Sequence, residues 1–385
     1  MKSRKTAWIA IVALVILAAT FVWNRQHYRE KGEIVVGAVF DLTGSLSYMG
    51  QWSLEGAKLA EKDINAAGGI KGKKLRLMVD DAETNPQKAT TVFQRLVSVE
   101  RFPIVIGFNA SGEVMAAAPI ANREHVVLFS SGGASPTITD AGDYVFRNRL
   151  SGAVEASAMA DIAYQQLGFR RGMILNISTE YGEGYAEAFR IRFSGLGGEI
   201  VSKQSFTQDQ TDLKSQIQKI REQQNLDFVY VASFAREGAR LFKQAKELGV
   251  SPRWLASNAI EAPELFTIAG DAANGILFTV EAYDPHSVES SSFNDAYRAA
   301  YGRDSEMFAA HAYDAVRIAA KLIEEAGNNG EAIKNALYEV KDYPGASGKT
   351  SFDKNGDVVK AVALKETRDG KFSVIAPEKL TSERK

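Results

Sequence analysis

From Glu33 to residue 256, short apolar runs alternate with amphipathic stretches, and this alternation confines the chain to the α/β class. The first series runs EIVVGAVF, a helix over 52–67, KKLRLMVDD, a helix over 86–100, PIVIGF, a helix over EVMAAAPIANRE, and VVLFSS. Strands separated by helices predict a parallel sheet, and their near-continuous apolar character predicts helices on both faces. After YVFRNRLS a second series of the same kind begins, with a helix over 153–167, RGMILNIS, a helix over GYAEAFRIRFSGLGG, EIVSKQSF, a helix over TDLKSQIQKIREQ, LDFVYVAS, a helix over EGARLFKQAKELG, and PRWLAS. A chain of 385 residues exceeds one hydrophobic core, so the two series read as two doubly wound lobes. Ligands of such sheets collect beyond the carboxyl ends of the strands.

Beyond GILFTVEAY lie three further helical stretches, FNDAYRAAYG, MFAAHAYDAVRIAAKLIEEAG and GEAIKNALYEV, and then a tail in which Asn355-Gly356 carries a primed-turn signal. Local punctuation supports these assignments. Asn85 is placed to cap a helix with Pro86 at its first position. Gly68 and Gly69 follow a helix and precede a strand, the place of a C-cap, whereas a phosphate cradle lies after a strand and before a helix.

Ahead of both series, Lys2, Arg4 and Lys5 precede the apolar run TAWIAIVALVILAATFVW, residues 6–23, which reads as an export signal or a membrane anchor. No small-x-small cleavage pattern follows, which favours an uncleaved anchor in the inner membrane over a cleaved signal and a soluble body. The basic residues before the run favour an exported body.

Composition removes several kinds of function. Net charge is −1, with Lys and Arg spread along the chain, so no footprint for a nucleic-acid backbone is present. The absence of cysteine excludes disulfides, thiolate metal sites and cysteine nucleophiles. PGASGKT, residues 344–350, resembles a phosphate loop, but Tyr343 stands where its first glycine belongs. YGEGYAEAF lacks the third glycine of a dinucleotide fingerprint, and its Glu183 opposes phosphate. No nucleophile elbow surrounds a serine, His27, His125, His286 and His311 lack metal-ligand spacing, and DKNGD lacks the later positions of a calcium loop. The expectation is a protein that is not an enzyme and uses no cofactor.

What remains are the strand ends. GFNASG, residues 107–112, sets Asn109 and Ser111 between a buried strand and a helix, where free N–H groups and a hydroxyl suit a carboxylate; Ser111 as a plain N-cap is the alternative. FSSGGASP, residues 129–136, leaves the next strand with small residues that admit a ligand close to the backbone. In the second series the corresponding ends carry Tyr181, Phe234 and Asn258, an apolar setting that suits a small organic ligand.

The stretches LTGSLSYMGQWSLEGAKLAEKDINAAGGIKGKKLRLMVDDAETNPQKA, VIGFNASGEVMAAAPIA, SGGASPTIT, YGEGYAEAF and FAAHAYDAVRIA together resemble the type I periplasmic binding proteins, in the leucine and branched-chain amino acid binding branch. The resemblance implies two lobes joined by three crossovers, a small ligand trapped between them by hinge closure, and delivery to an ABC transporter permease. A membrane-tethered sensor ectodomain with the same binding mechanism is the alternative. The implied division is 1–30 for the anchor or signal, 33–148 with 283–340 for the first lobe, 149–282 with 341–377 for the second, and 378–385 as a tail. By the same resemblance Ser111 matches the serine that holds the ligand carboxylate, Gly132 and Gly133 contribute backbone, and Tyr181 and Phe234 stand at aromatic contacts. Two positions depart: Ala134 replaces a threonine, and Asn258 replaces an acidic residue that takes the ligand ammonium. Either Glu261 or Glu237 then supplies the missing charge, or the ligand has no ammonium.

Overall fold

The computed structural model describes residues 32–375. The first series folds as β1 (Glu33–Phe40), α1 (Ser47–Ala66), β2 (Lys74–Asp81), α2 (Pro86–Ser98), β3 (Ile104–Gly107), α3 (Ser111–Glu124), β4 (Val127–Ser130) and β5 (Val145–Arg147). These strands form a five-stranded sheet in the order β2-β1-β3-β4-β5, every pair parallel. The second series folds as α4 (Gly152–Asp161), β6 (Arg171–Ile177), α5 (Glu180–Gly195), β7 (Glu199–Phe206), α6 (Lys214–Arg221), β8 (Phe228–Ala232), α7 (Ala235–Glu247) and β9 (Trp254–Ala256). It continues through α8 (Pro263–Ala269) and β10 (Leu277–Glu281). Three helices follow, α9 (Ser291–Tyr301), α10 (Met307–Ala326) and α11 (Gly330–Tyr338), then the hairpin β11 (Tyr343–Gly345) and β12 (Gly348–Thr350), and finally β13 (Val362–Arg368) and β14 (Lys371–Val374).

The second sheet has the order β14-β13-β10-β9-β8-β6-β7. It is parallel from β10 to β7, while β13 runs antiparallel to β10 and β14 antiparallel to β13, so the tail adds an antiparallel edge to the parallel sheet. β13 and β14 are joined by a short turn, which an antiparallel pair allows without a helical crossover. The chain passes between the sheets at 148–151, after Glu281, and before Val362. The last passage falls later than the expected boundary at 341, because Phe352 and Val358 pack into the core of the first sheet.

Several local readings take physical form. Asn85 accepts the N–H groups of Gln87 and Lys88 and caps α2 ahead of Pro86. Gly69 donates its N–H to Ile64 O with φ +76°, and a Cβ there would sit 2.1 Å from Lys73 O, so these glycines end a helix. Asn355-Gly356 departs from its reading. Only Gly356 has positive φ, Asp353 takes the N–H groups of Asn355 and Asp357, and a single bridge joins Phe352 to Val358. The loop is organised by an aspartate side chain in place of a primed turn. The short helix α8 has no counterpart in the sequence reading. Among the described residues no helix is long and apolar enough to cross a membrane, and the run at 6–23 lies outside them.

Candidate functional site

Carboxyl ends of both sheets face one another across the cleft, and the lobes touch there. Ser135 Oγ donates to Glu180 O at 3.0 Å, Thr137 Oγ1 to Glu180 Oε1 at 2.6 Å, and Tyr48 OH to Ala259 O at 3.2 Å. Leu46, Met49, Ala110 and Ala134 of the first lobe share one apolar cluster with Tyr181, Phe234 and Ala259 of the second.

On the first-lobe side, α3 begins at Ser111, where N–H groups at the first turn have no carbonyl of their own helix to bond. Ser111 is the first residue of the helix, and Ala110 takes the capping position expected for it. Ser111 Oγ accepts N–H bonds from Ala134 at 3.1 Å and Ser135 at 2.9 Å. With two bonds accepted, its hydroxyl hydrogen is the group left to donate, and Ser111 is buried. Gly132 and Gly133 turn their N–H groups inward to Ser130 Oγ, at 3.4 and 2.9 Å. A Cβ on Gly132 would stand 2.8 Å from Asn109 Cα, so small size is required for packing in this turn. Ala134 O accepts the N–H of Gly152 from the other lobe at 2.7 Å.

Beneath this turn lie two buried acids, Asp41 at the end of β1 and Glu113 in the first turn of α3. Burial raises the pKa of Asp41 to about 6, and burial followed by the charge of Asp41 raises that of Glu113 well above its usual range. Asp41 Oδ2 and Glu113 Oε1 each lack a donor, and one proton held between the two carboxyls satisfies both.

From the second lobe come Tyr181 on α5, Phe234 at the start of α7 and Asn258 after β9. Tyr181 OH accepts the N–H of Ala259 at 3.1 Å and donates to Asn258 Oδ1 at 2.7 Å. Its ring packs on Phe234 with centroids 5.4 Å apart. Burial raises the Tyr181 pKa, which keeps the phenol a donor. Asn258 also lines a small cavity of about 40 Å³, together with Trp52, Glu261, Tyr283, Glu306 and Lys365. Ser111, Gly132, Gly133, Ala134, Tyr181 and Phe234 do not line that cavity; they form the closed seam beside it.

Trp52, Tyr283 and Lys365 were missed by sequence reasoning. They come from α1, the second crossover and β13, and only the fold unites them. Tyr48 and Trp52 carried a readable signal, an i,i+4 aromatic pair whose rings meet edge to face at 5.3 Å. Both acids proposed to replace a charge at position 258 already hold partners, although Glu237 Oε2 is buried without a donor. Glu261 pairs with Lys365. Glu237 is buried, with Oε1 accepting Asp209 N at 3.1 Å and Ser45 Oγ at 3.5 Å.

A third group lies at the crossovers. Glu281, at the end of β10, accepts Arg149 Nη1 at 2.9 Å and Leu150 N at 2.8 Å on one oxygen. Its other oxygen meets His311 Nε2 at 2.8 Å and Lys360 Nζ at 3.0 Å. Arg149, Glu281 and Lys360 belong to the three separate passages between lobes, so one carboxylate ties the whole hinge. Arg149 also pairs with Glu155, which accepts from Tyr185 OH. Burial by itself pushes Glu281 up, while the charges of Lys360 and Arg149 and the bond to His311 favour its charged form.

Residues 33–371 match the sequence profile of the Periplasmic binding protein family. An Amino acid binding protein of Pseudomonas aeruginosa is 27% identical over 85% of this chain and 87% of its own length. A Leu/Ile/Val-binding protein homolog 3 of Brucella melitensis is 26% identical over 91% of this chain and 94% of its own. Among solved structures, the branched-chain amino acid transporter substrate binding protein LivJ of Streptococcus pneumoniae, in complex with isoleucine, superposes with a TM-score of 0.80 at 28% identity, covering 89% of this chain and 99% of that one. The leucine binding protein LivK of Thermotoga maritima gives 0.83 at 27% identity, covering 89% and 98%.

Proposed function

The chain belongs to the periplasmic binding protein family, and from that premise we propose that it traps a small carboxylate-bearing solute between its lobes and hands it to an ABC importer. It is a solute-binding receptor of the branched-chain amino acid branch, and its place is the periplasm. Tethering to the inner membrane by the apolar run 6–23 belongs to the proposal.

The observation that carries the ligand reading is Ser111. Two N–H bonds saturate its oxygen as an acceptor, so its hydrogen faces a ligand acceptor at the start of a helix, where partial positive charge favours a carboxylate. Tyr181 and Phe234 supply the wall that arrives with closure. Gly132, Gly133 and Ala134 shape the turn that faces it. Binding energy is the preference of the ligand for the closed form, and the three crossovers absorb the rotation.

Isothermal titration of the full chain with leucine, isoleucine, phenylalanine and their 2-oxo counterparts tests the reading. For each acid that binds, Ser111→Ala should weaken affinity by roughly tenfold or more, the worth of a hydrogen bond to a charged group. Unchanged affinity in Ser111→Ala would remove the carboxylate from that position.

A further inference from the structure

Resting on the reading of this protein as a receptor for a small acid, we infer that Asn258 presents a hydrogen-bond donor to the ligand. The ligand group it meets is then an oxygen acceptor, as in a 2-oxo acid, and not an ammonium.

The bonding around Tyr181 fixes this polarity. Tyr181 oxygen accepts the N–H of Ala259, and its hydroxyl hydrogen is directed onto Asn258 Oδ1. The amide carbonyl is therefore turned to the protein. No bond is made by Nδ2, although Asn258 is only 5% exposed and lines the cavity. Nδ2 is open to the cavity and has no protein acceptor, so a ligand oxygen there gains a donor that is otherwise left to water. An ammonium brought to the same point sets donor against donor.

The neighbouring acids do not reverse this. Glu261 is neutralised by Lys365 in the same cavity; Glu237 has one oxygen held by Ser45 and the N–H of Asp209 and the other buried without a donor, and it does not line this cavity. Glu281 is surrounded by Arg149, Lys360 and His311. Glu306, which precedes α10 on the first lobe, lines the same cavity, and burial pushes its carboxyl up to about 7 despite the charges of Lys365 and Arg303. A cation elsewhere on the ligand has Glu306 available to it, but that leaves the demand at Asn258 unchanged. Position 258 thus selects between an amino acid and its oxo partner.

The test is isothermal titration of the full chain with matched pairs, L-leucine against 4-methyl-2-oxopentanoate and L-phenylalanine against phenylpyruvate. In the wild type the oxo acid should bind about tenfold or more tightly than its partner. Asn258→Asp, which substitutes an acceptor and a charge, should reverse the order. Tyr181→Phe, which releases Oδ1 and lets the amide turn, should narrow the gap, and it serves where the aspartate variant does not fold. An amino acid that binds the wild type as tightly as its oxo partner overturns the assignment and leaves the receptor function standing. So does an oxo preference that neither variant alters. Silence from every pair refutes the small-acid reading itself, and the inference with it.

Discussion

His311 is buried in the hinge beside a carboxylate, yet the structure requires its neutral form. Nε2 lies 2.8 Å from Glu281 Oε1, so that nitrogen carries the hydrogen; Nδ1 has no partner and would be an unsatisfied buried donor if protonated. Arg149 and Lys360 already balance Glu281 and Glu155. Burial lowers the His311 pKa from 6.5 to about 4 despite the attraction of Glu281. Below pH 6.5 the unfolded chain therefore takes up a proton that the folded chain refuses until about pH 4, and stability falls as pH drops through that window. The gap corresponds to about 3 kcal/mol for this one residue. His311→Gln removes the titration while retaining an N–H donor for Glu281. Urea unfolding of both proteins at a series of pH values isolates the contribution: wild type should lose about 3 kcal/mol relative to the variant between pH 6.5 and pH 4. Parallel profiles would refute the neutral assignment, and a wild type that gains on the variant as pH falls would show a protonated histidine paired with Glu281.

Two other perturbations have their sign set by geometry. Gly56→Ala places a Cβ 1.9 Å from Ala309 O, where α1 crosses α10, and should destabilise by about 1–3 kcal/mol or more, read as a lower urea midpoint with an unchanged slope. In the Asp41–Glu113 pair the folded state holds a proton that the unfolded chain releases near the ordinary carboxylate range, so wild-type stability should decline as pH rises from 5 to 8. Glu113→Gln removes that decline, and a midpoint difference between the two proteins that stays constant over this range would exclude the shared proton.

Most of the architecture was legible because it rests on local rules. Asn85-Pro86, Gly68-Gly69 and the apolar runs of β1, β3, β6 and β8 announce their elements, and alternation fixes the parallel order. The antiparallel edge of the second sheet was less legible, since β13 reads VALKETR and carries no mark of direction. At the candidate site, the ends of strands and the first turn of α3 are sequence-local, which is why Ser111, Tyr181 and Asn258 could be proposed from the sequence. The cavity at their side is not local. It gathers Trp52, Tyr283, Glu306 and Lys365 from four elements, and nothing in the spacing of these residues connects them. The fate of Glu261 was equally hidden, because its partner Lys365 lies on the strand whose pairing the sequence left open.

A polarity argument joins the hinge to the cleft. The contacts that close the lobes include neutral or single-charge hydrogen bonds at the seam, such as Ser135 to Glu180 O, Thr137 to Glu180, Tyr48 to Ala259 O and Ser45 to Glu237, each worth about 1 kcal/mol net and replaceable by water on opening. The crossover contacts are of another kind. Arg149, Glu155 and Glu281 are fully buried with their charges paired, and removing one partner of such a set costs roughly 3–5 kcal/mol. Rotation that breaks the seam is therefore far cheaper than rotation that breaks the pivot. The lobes can separate while the three passages stay bound at Glu281, and the direction of opening follows from that difference. A ligand held between the lobes adds its contacts to those of the seam, so a small gain in the closed form is enough to shift the balance between open and closed.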